Sequence, residues 1–318
     1  MEQTPQTLSA AAPSLTADWL SLVKARLSLM VLATTLVGFL VAEPESISWS
    51  RLGWTLLGTF LAAASAAALN QTVERHQDAN MRRTANRPVA AGRFTPTLGV
   101  FIGFVLGYLG CFALAMQVNL LASGLAAFTI ILYVAVYTPM KRWTTLNTMV
   151  GAVVGAVPPL IGWAAATGQV HRGAWVLAAL LFTWQLPHFF ALAYLYREDY
   201  DRGGFRMLPS VRGGDLLAAQ TSFLSSLLLV PIGLIATMLG LAGMWSAGVC
   251  FITGLCMAWF AFAHLRRMDR ATARNLFLAS LVYLPVTLLA MSLDRGPWTP
   301  ESGVRGGRHV IVDTPDAP

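Results

Sequence analysis

Charge is scarce in these 318 residues. Only 12% are Asp, Glu, Lys or Arg, about half the ~25% of an average soluble domain. With 56% hydrophobic residues, that deficit excludes an ordinary soluble fold. Cysteine is scarce as well. The three present, Cys111, Cys250 and Cys256, lie inside apolar runs without pairing or metal-ligand spacing. That excludes a disulfide framework and a thiolate metal site and leaves small buried side chains. Period-two alternation is missing, which excludes a transmembrane barrel. The first residues, MEQTPQTLSAAAPSLT, have no basic segment ahead of a short apolar core, so no cleavable signal peptide is expected. Carboxylates number 15 against 22 lysines and arginines, for a formal net charge of +7. In a soluble protein this excess would point to nucleic acid. Here the basic residues sit between apolar runs, as loops on the positive side of a membrane do, and no nucleic-acid partner is expected.

What is there is a series of apolar runs, and only helices or closed barrels satisfy their backbone in lipid. The fold class is therefore all-α, a polytopic integral membrane protein. Residues 1–17 read as a disordered N-terminal tail. Lys24 and Arg26 precede Leu27–Ala42, whose span reaches the required ~20 residues if both side chains snorkel. Leu52–Asn70 is the second run. Phe94–Met140 is free of charge and suits two spans divided at Gln117-Val118-Asn119. Thr145–Ala166 is the fifth, with Pro158-Pro159 expected to break or kink it. Gly173–Tyr196, interrupted by Pro187, is the sixth. Leu216–Leu265 makes two more, divided near Gly240–Gly243, and Asn275–Leu293 is the ninth. Residues 18–293 thus form a nine-helix membrane domain, and 294–318 a disordered C-terminal tail. The loops after the even-numbered spans hold fifteen lysines and arginines, against Arg51 and Arg172 in the opposite loops. That bias predicts a cytoplasmic N-terminus, with the charged loops on the cytoplasmic face.

The densest charge follows the second span, in NQTVERHQDANMRRTANRPVAAGR, residues 70–93. Asn70, Glu74 and Asp78 are spaced i, i+4, i+8, near one face of a helix. Three oxygen-bearing side chains in one stripe at a membrane boundary suit Mg²⁺, which prefers few carboxylates and keeps positions open for phosphate oxygens. Arg83 and Arg87 repeat the i, i+4 step, and a guanidinium binds phosphate as a planar fork. The combination predicts a Mg²⁺-diphosphate clamp. The bland alternative, a solvated basic loop, accounts for the arginines but poorly for ionisable groups continuing an apolar helix.

The pattern N-x-x-x-E-x-x-x-D-x-x-M-x-R-T-x-x-R-P, Asn70 to Pro88, resembles the first signature of the UbiA superfamily of membrane prenyltransferases. Three further stretches are similar to its haem-farnesylating branch. They are Tyr137-Thr138-Pro139-Met140-Lys141-Arg142, then Gly155 to Trp163 (GAVPPLIGW), and Trp184-Gln185-Leu186-Pro187-His188-Phe189 followed by Asp199-Tyr200 and Met207-Leu208-Pro209. The resemblance runs in order from about Lys24 to Leu293. It departs from the superfamily at Glu74, where many members carry aspartate. It departs again at the second motif, where the three aspartate positions hold His188, Leu195 and Asp199, so that one carboxylate remains.

The resemblance implies a prenyltransferase of the inner (plasma) membrane, with farnesyl diphosphate and haem B as substrates and Mg²⁺ as cofactor. Its product, haem O, would pass to haem A synthase or a terminal oxidase. It implies metal binding at Asn70, Glu74 and Asp78, with Asp199 the remaining carboxylate of a depleted second site. Lys141, Arg142, Arg83 and Arg87 are the expected diphosphate cations, and His188 and Trp184 the expected contacts to the haem. An interior histidine bonded to a neighbouring helix is the bland reading of His188. Tyr194 and Tyr196 are candidates for stabilising an allylic cation. Trp143, Trp163, Trp175, Trp184, Trp245 and Trp298 mostly fall near span ends and read by default as an interfacial belt, and His264 reads as interfacial. Two alternatives stay open. One is a related enzyme acting on an aromatic or chlorophyll-like acceptor. The other is a transporter of an anionic lipid or phosphate compound, whose broken helices would look alike.

Overall fold

The computed structural model describes residues 13–42 and 46–294. Helix α1 (Leu15–Leu22) starts where Ser14 accepts a hydrogen bond from the amide of Ala17. It lies partly inside the expected N-terminal tail, residues 1–12 of which fall outside the described residues. It is tied down in part by Asp18, buried and gripped by two hydrogen bonds from Arg93, at 2.7 and 2.8 Å. Then come α2 (Ala25–Ala42), α3 (Trp49–Val73), the short α4 (Arg75–Asn80) and α5 (Pro96–Gln117). Next, α6 (Leu120–Ile131) runs through a π-helical segment (Leu132–Tyr137) into α7 (Thr138–Trp143). After it follow α8 (Asn147–Thr167), α9 (Arg172–Leu195), the short α10 (Arg197–Arg202), α11 (Gly214–Met238), α12 (Met244–Arg267) and α13 (Arg270–Leu293). With α6, the π segment and α7 counted as one span, nine stretches among the described residues are long and apolar enough to cross a membrane.

The spans pack as neighbours, α2 on α8, α3 on α5, α8 on α9, and α9 on both α11 and α13. Their faces are rich in small residues, and van der Waals packing is what associates helices in lipid. The tightest crossing is α2 on α8. A Cβ on Gly162 would fall 1.9 Å from the carbonyl oxygen of Thr35, and one on Gly38 would fall 2.2 Å from that of Pro159. Only glycine lets the backbones approach so closely.

At neither proline site does the helix break. Helix α8 is continuous through Pro158 and Pro159, and α9 through Pro187. All three prolines are buried, and from Ala156 to Ala165 every residue of α8 is buried. Neighbouring helices hold the axis where the lost backbone hydrogen bonds would otherwise release it. The tryptophan expectation divides. Trp143, Trp175 and Trp245 are exposed at span ends, but Trp163 is fully buried and its indole donates to His171 Nδ1 at 3.3 Å. Trp298 lies outside the described residues. His264 is buried too, 3.1 Å from Thr272 Oγ1 and edge-on to Tyr194.

Candidate active site

The Asn70–Asp78 stripe sits at the end of α3, where the chain leaves the bundle. It is not one helix. At Glu74 the backbone departs from helical geometry (φ −89°, ψ 7°), so α3 ends and α4 begins across that residue. The amide of Glu74 still donates to Asn70 O at 2.9 Å, and that of Asp78 to Glu74 O at 2.8 Å. All three side chains are buried.

Each is held by a cation from another part of the chain. Lys24 Nζ donates to Asn70 Oδ1 at 2.6 Å. Lys141 Nζ lies 2.8 Å from Glu74 Oε1. Arg87 NH1 reaches both Asp78 oxygens, at 2.8 and 2.7 Å. Asn70 also donates to Thr138 Oγ1 at 3.0 Å, fixing its amide so that oxygen faces Lys24. Glu74 Oε1 is buried and has no aligned hydrogen bond among the described residues. Burial opposes ionisation of Glu74, but the charges of Lys141 and Lys24 outweigh it and hold the carboxyl below its usual range. Burial, then the positive charges of Arg87 and Lys141, pull the Lys24 ammonium down to about 7.

Lys24 is the residue that sequence reasoning missed. It does not snorkel. It joins α1 to α2 with a left-handed backbone (φ +46°), an uncommon conformation costing about 1–2 kcal/mol for a non-glycine residue. The turn aims its side chain at Asn70 and at Tyr133, whose hydroxyl lies 3.3 Å away. Nothing in a linear pattern announces a positive φ.

The π-helical segment faces this cluster. One residue more per turn re-aims side chains, a device common at functional sites. Here Tyr133 and Tyr137 pack against each other, 5.3 Å between ring centroids. Lys141 lies over the Tyr137 ring at 4.6 Å. Beneath them runs an apolar cavity of about 240 Å³. Lys24, Tyr133 and Tyr137 line it beside the charges, and its walls continue to Thr59 and Ile161 inside the bundle.

Other expected site residues are placed elsewhere. Arg83 and Arg87 are not a helical pair, because residues 81–93 form turns and bends. Arg87 takes Asp78, while Arg83 lies over the Tyr196 and Tyr200 rings at 5.3 and 5.8 Å. Arg142 is exposed, and its side chain makes no hydrogen bond or ion pair among the described residues. Asp199 accepts from the backbone amides of Arg82 and Arg83, each at 3.2 Å, and pairs with Arg202. Burial pushes its carboxyl up, but the bonds from Arg202, Arg83 and Arg82 outweigh that and hold it low. Its oxygens tie the loop of Arg82 and Arg83 to α10. No group of three His, Cys, Asp or Glu side chains able to hold a metal occurs among the described residues. The donor set that fits Mg²⁺ is Asn70, Glu74 and Asp78: hard oxygens and few carboxylates, gathered and buried at the end of α3.

His188 stacks between Trp184 and Phe277, 5.0 and 4.9 Å between centroids, with Nδ1 2.8 Å from Ser280 Oγ. The Trp184 indole donates to Ser280 O at 2.8 Å. The bland reading of His188 therefore has its helix-to-helix bond. Nε2 remains without one among the described residues, because Nδ1 takes the serine. Tyr194 donates to Met268 O and lies beside Arg197, away from the α3 cluster.

Residues 31–284 match the profile of the UbiA prenyltransferase family. This chain belongs to that family. Curated relatives agree along most of its length. A protoheme IX farnesyltransferase of Solibacter usitatus is 39% identical over 290 residues, covering 87% of this chain and 98% of the relative. The human mitochondrial protoheme IX farnesyltransferase is 37% identical over 276 residues, 87% of this chain and 62% of that longer protein. Among solved structures, one described for digeranylgeranylglyceryl phosphate synthase superposes with a TM-score of 0.75 at 15% identity, covering 88% of this chain and 98% of that one. A UbiA homolog from Archaeoglobus fulgidus, bound to GPP and Mg²⁺, gives 0.65 at 15% identity, with coverage of 86% and 99%. At such identities the structures show a shared fold. The family's all-helical membrane bundle is the architecture described above.

Proposed function

We propose that this membrane enzyme transfers the farnesyl group of farnesyl diphosphate to a vinyl group of protoheme IX (haem B). Water completes the side chain, giving haem O. The relatives named as protoheme IX farnesyltransferases match over 87% of this chain. The observation that carries the local chemistry is the set of three oxygen donors, each matched to its own cation, at the mouth of an apolar cavity.

Asn70, Glu74 and Asp78 would hold Mg²⁺, which supplies Lewis-acid stabilisation of charge on the departing diphosphate. Lys24, Lys141 and Arg87 exchange their carboxylate and amide partners for phosphate oxygens when substrate binds. Arg83 joins from the loop, and Arg142 meets the outer phosphate. The farnesyl tail lies in the cavity along α3 and α8. The allylic C–O bond breaks and its electron pair leaves with the diphosphate. The Tyr133 and Tyr137 rings offer negative faces to the resulting cation. The vinyl π-electrons then bond to the allylic carbon. Water adds to the cation left beside the macrocycle and loses a proton. Burial of the donors excludes bulk water from the allylic cation until the vinyl group reaches it.

His188 and Trp184 contact the haem, with His188 Nε2 free to meet iron, and an imidazole is a good axial ligand. Asp199 acts by fixing the loop of Arg82 and Arg83. The protein lies in the inner (plasma) membrane with its N-terminus cytoplasmic, and haem O passes to haem A synthase or a terminal oxidase. Purified protein given haem B, farnesyl diphosphate and Mg²⁺ should form haem O. Farnesylation of an aromatic acceptor in place of haem would overturn the assignment of the acceptor.

A further inference from the structure

A second cavity, a basin of about 500 Å³, opens on the charged-loop side. Five arginines line it from three separate stretches. Arg82 and Arg83 come from the loop after α4, Arg197 and Arg202 from α10, and Arg270 from the first turn of α13. The only carboxylates on its wall are Glu198 and Asp199. Asp199 is already spent on Arg202 and on two backbone amides. A basic loop obeying the positive-inside rule needs no cavity. Here separate stretches bring guanidiniums together around one concave space, where their mutual repulsion is relieved by an anion. Planar guanidinium forks match carboxylates, and more than one is available.

The basin also has a position relative to the acceptor. Leu195, on its wall, lies seven residues from His188 on α9. Seven residues are two turns, on nearly the same helix stripe and about 10 Å along the axis. That is the scale of the distance from the centre of a porphyrin to the ends of its carboxylate arms. Tyr194 and Tyr196 complete the wall with ring surface, while Arg197 lies over the Tyr194 ring at 5.2 Å.

We propose that this arginine basin binds the two propionate carboxylates of the porphyrin acceptor and so sets which edge of the macrocycle points into the bundle. The propionates stay on the loop side, and the vinyl edge is turned toward the farnesyl cavity. The inference rests on the haem reading above. It assigns Arg197 and Arg270 as acceptor-positioning residues that do not touch the reacting atoms.

The test is an absorbance titration of the purified full-length protein, without farnesyl diphosphate, using haem B and its dimethyl ester. In the ester both propionates are neutral and the vinyl groups are intact. The wild type should bind haem B more tightly than the ester, by about tenfold or more for lost charge-assisted hydrogen bonds. Arg197→Gln/Arg270→Gln should weaken haem B binding toward that of the ester and leave ester binding unchanged. The misfolding control is unchanged ester binding itself. A second variant, Arg212→Gln/Arg274→Gln, removes the same charge from exposed positions off the basin wall and should keep the discrimination. If the wild type binds both porphyrins equally, the basin does not hold propionates and this inference fails while haem binding stands. If the wild type binds neither porphyrin, the acceptor reading itself fails. Discrimination that survives in Arg197→Gln/Arg270→Gln would place the propionates elsewhere.

Discussion

At the residue scale the site is an arrangement of charge held ready for exchange. Each buried oxygen donor has one cation, and each cation can turn to a phosphate. Asp78→Ala would leave Arg87 unpaired and remove a metal donor. Product formation should fall by at least roughly 100-fold, the scale for losing one group that stabilises transition-state charge, measured with saturating haem. Lys24→Met keeps the stem and deletes the ammonium that touches Asn70. We expect kcat/KM for farnesyl diphosphate to fall by about 100-fold, with thermal stability held to within a few degrees. An unchanged kcat/KM would remove Lys24 from the site. The sequence displayed the carboxylates and the amide because their spacing is helical. It hid Lys24, whose position depends on a left-handed backbone and on two helices meeting, and it hid the amides of Arg82 and Arg83 that bond Asp199 from more than a hundred residues earlier.

At the element scale, the nine spans were legible because lipid demands long apolar helices. Their ends were less so. Helix α1 is tied down in part by one pair, Asp18 with Arg93, which local propensity does not reveal. The hydrogen bond from Arg93 lowers the Asp18 carboxyl, so the pair's contribution is complete above the ordinary carboxylate pKa, about 3.9. It is lost as pH falls through the lowered value in the folded protein. Amide exchange in residues 15–22, corrected for intrinsic rates, should therefore stay slow at neutral pH and quicken at acid pH. Asp18→Asn should quicken it already at neutral pH, and equal exchange in both proteins would show that the pair does not dock the helix. Burial also explains why no proline ends a span: α8 and α9 stay helical through residues that would break an isolated helix. Gly162 illustrates the same packing. Gly162→Val should lower the midpoint of thermal unfolding in detergent, reflecting overpacking of about 1–3 kcal/mol or more, and an unshifted midpoint would mean α2 and α8 are free to separate.

At the scale of the whole molecule, the fold separates two chemistries. The apolar cavity under Tyr133 and Tyr137 suits an isoprenoid tail, and the arginine basin beyond α10 suits a carboxylate-bearing macrocycle. The charged cluster at the end of α3 is the place we propose for the diphosphate. Sequence motifs indicated the cluster, but the basin could not be read from them, since its arginines come from three stretches that only the folded bundle assembles. The most direct measurement is mass spectrometry of the porphyrin after incubating wild type and Asp78→Ala with haem B, farnesyl diphosphate and Mg²⁺. The account predicts haem carrying one farnesyl group and one water from the wild type, and none from the variant. Equal product from both would contradict the clamp at Asn70, Glu74 and Asp78, and no farnesylated haem from the wild type would contradict the function itself.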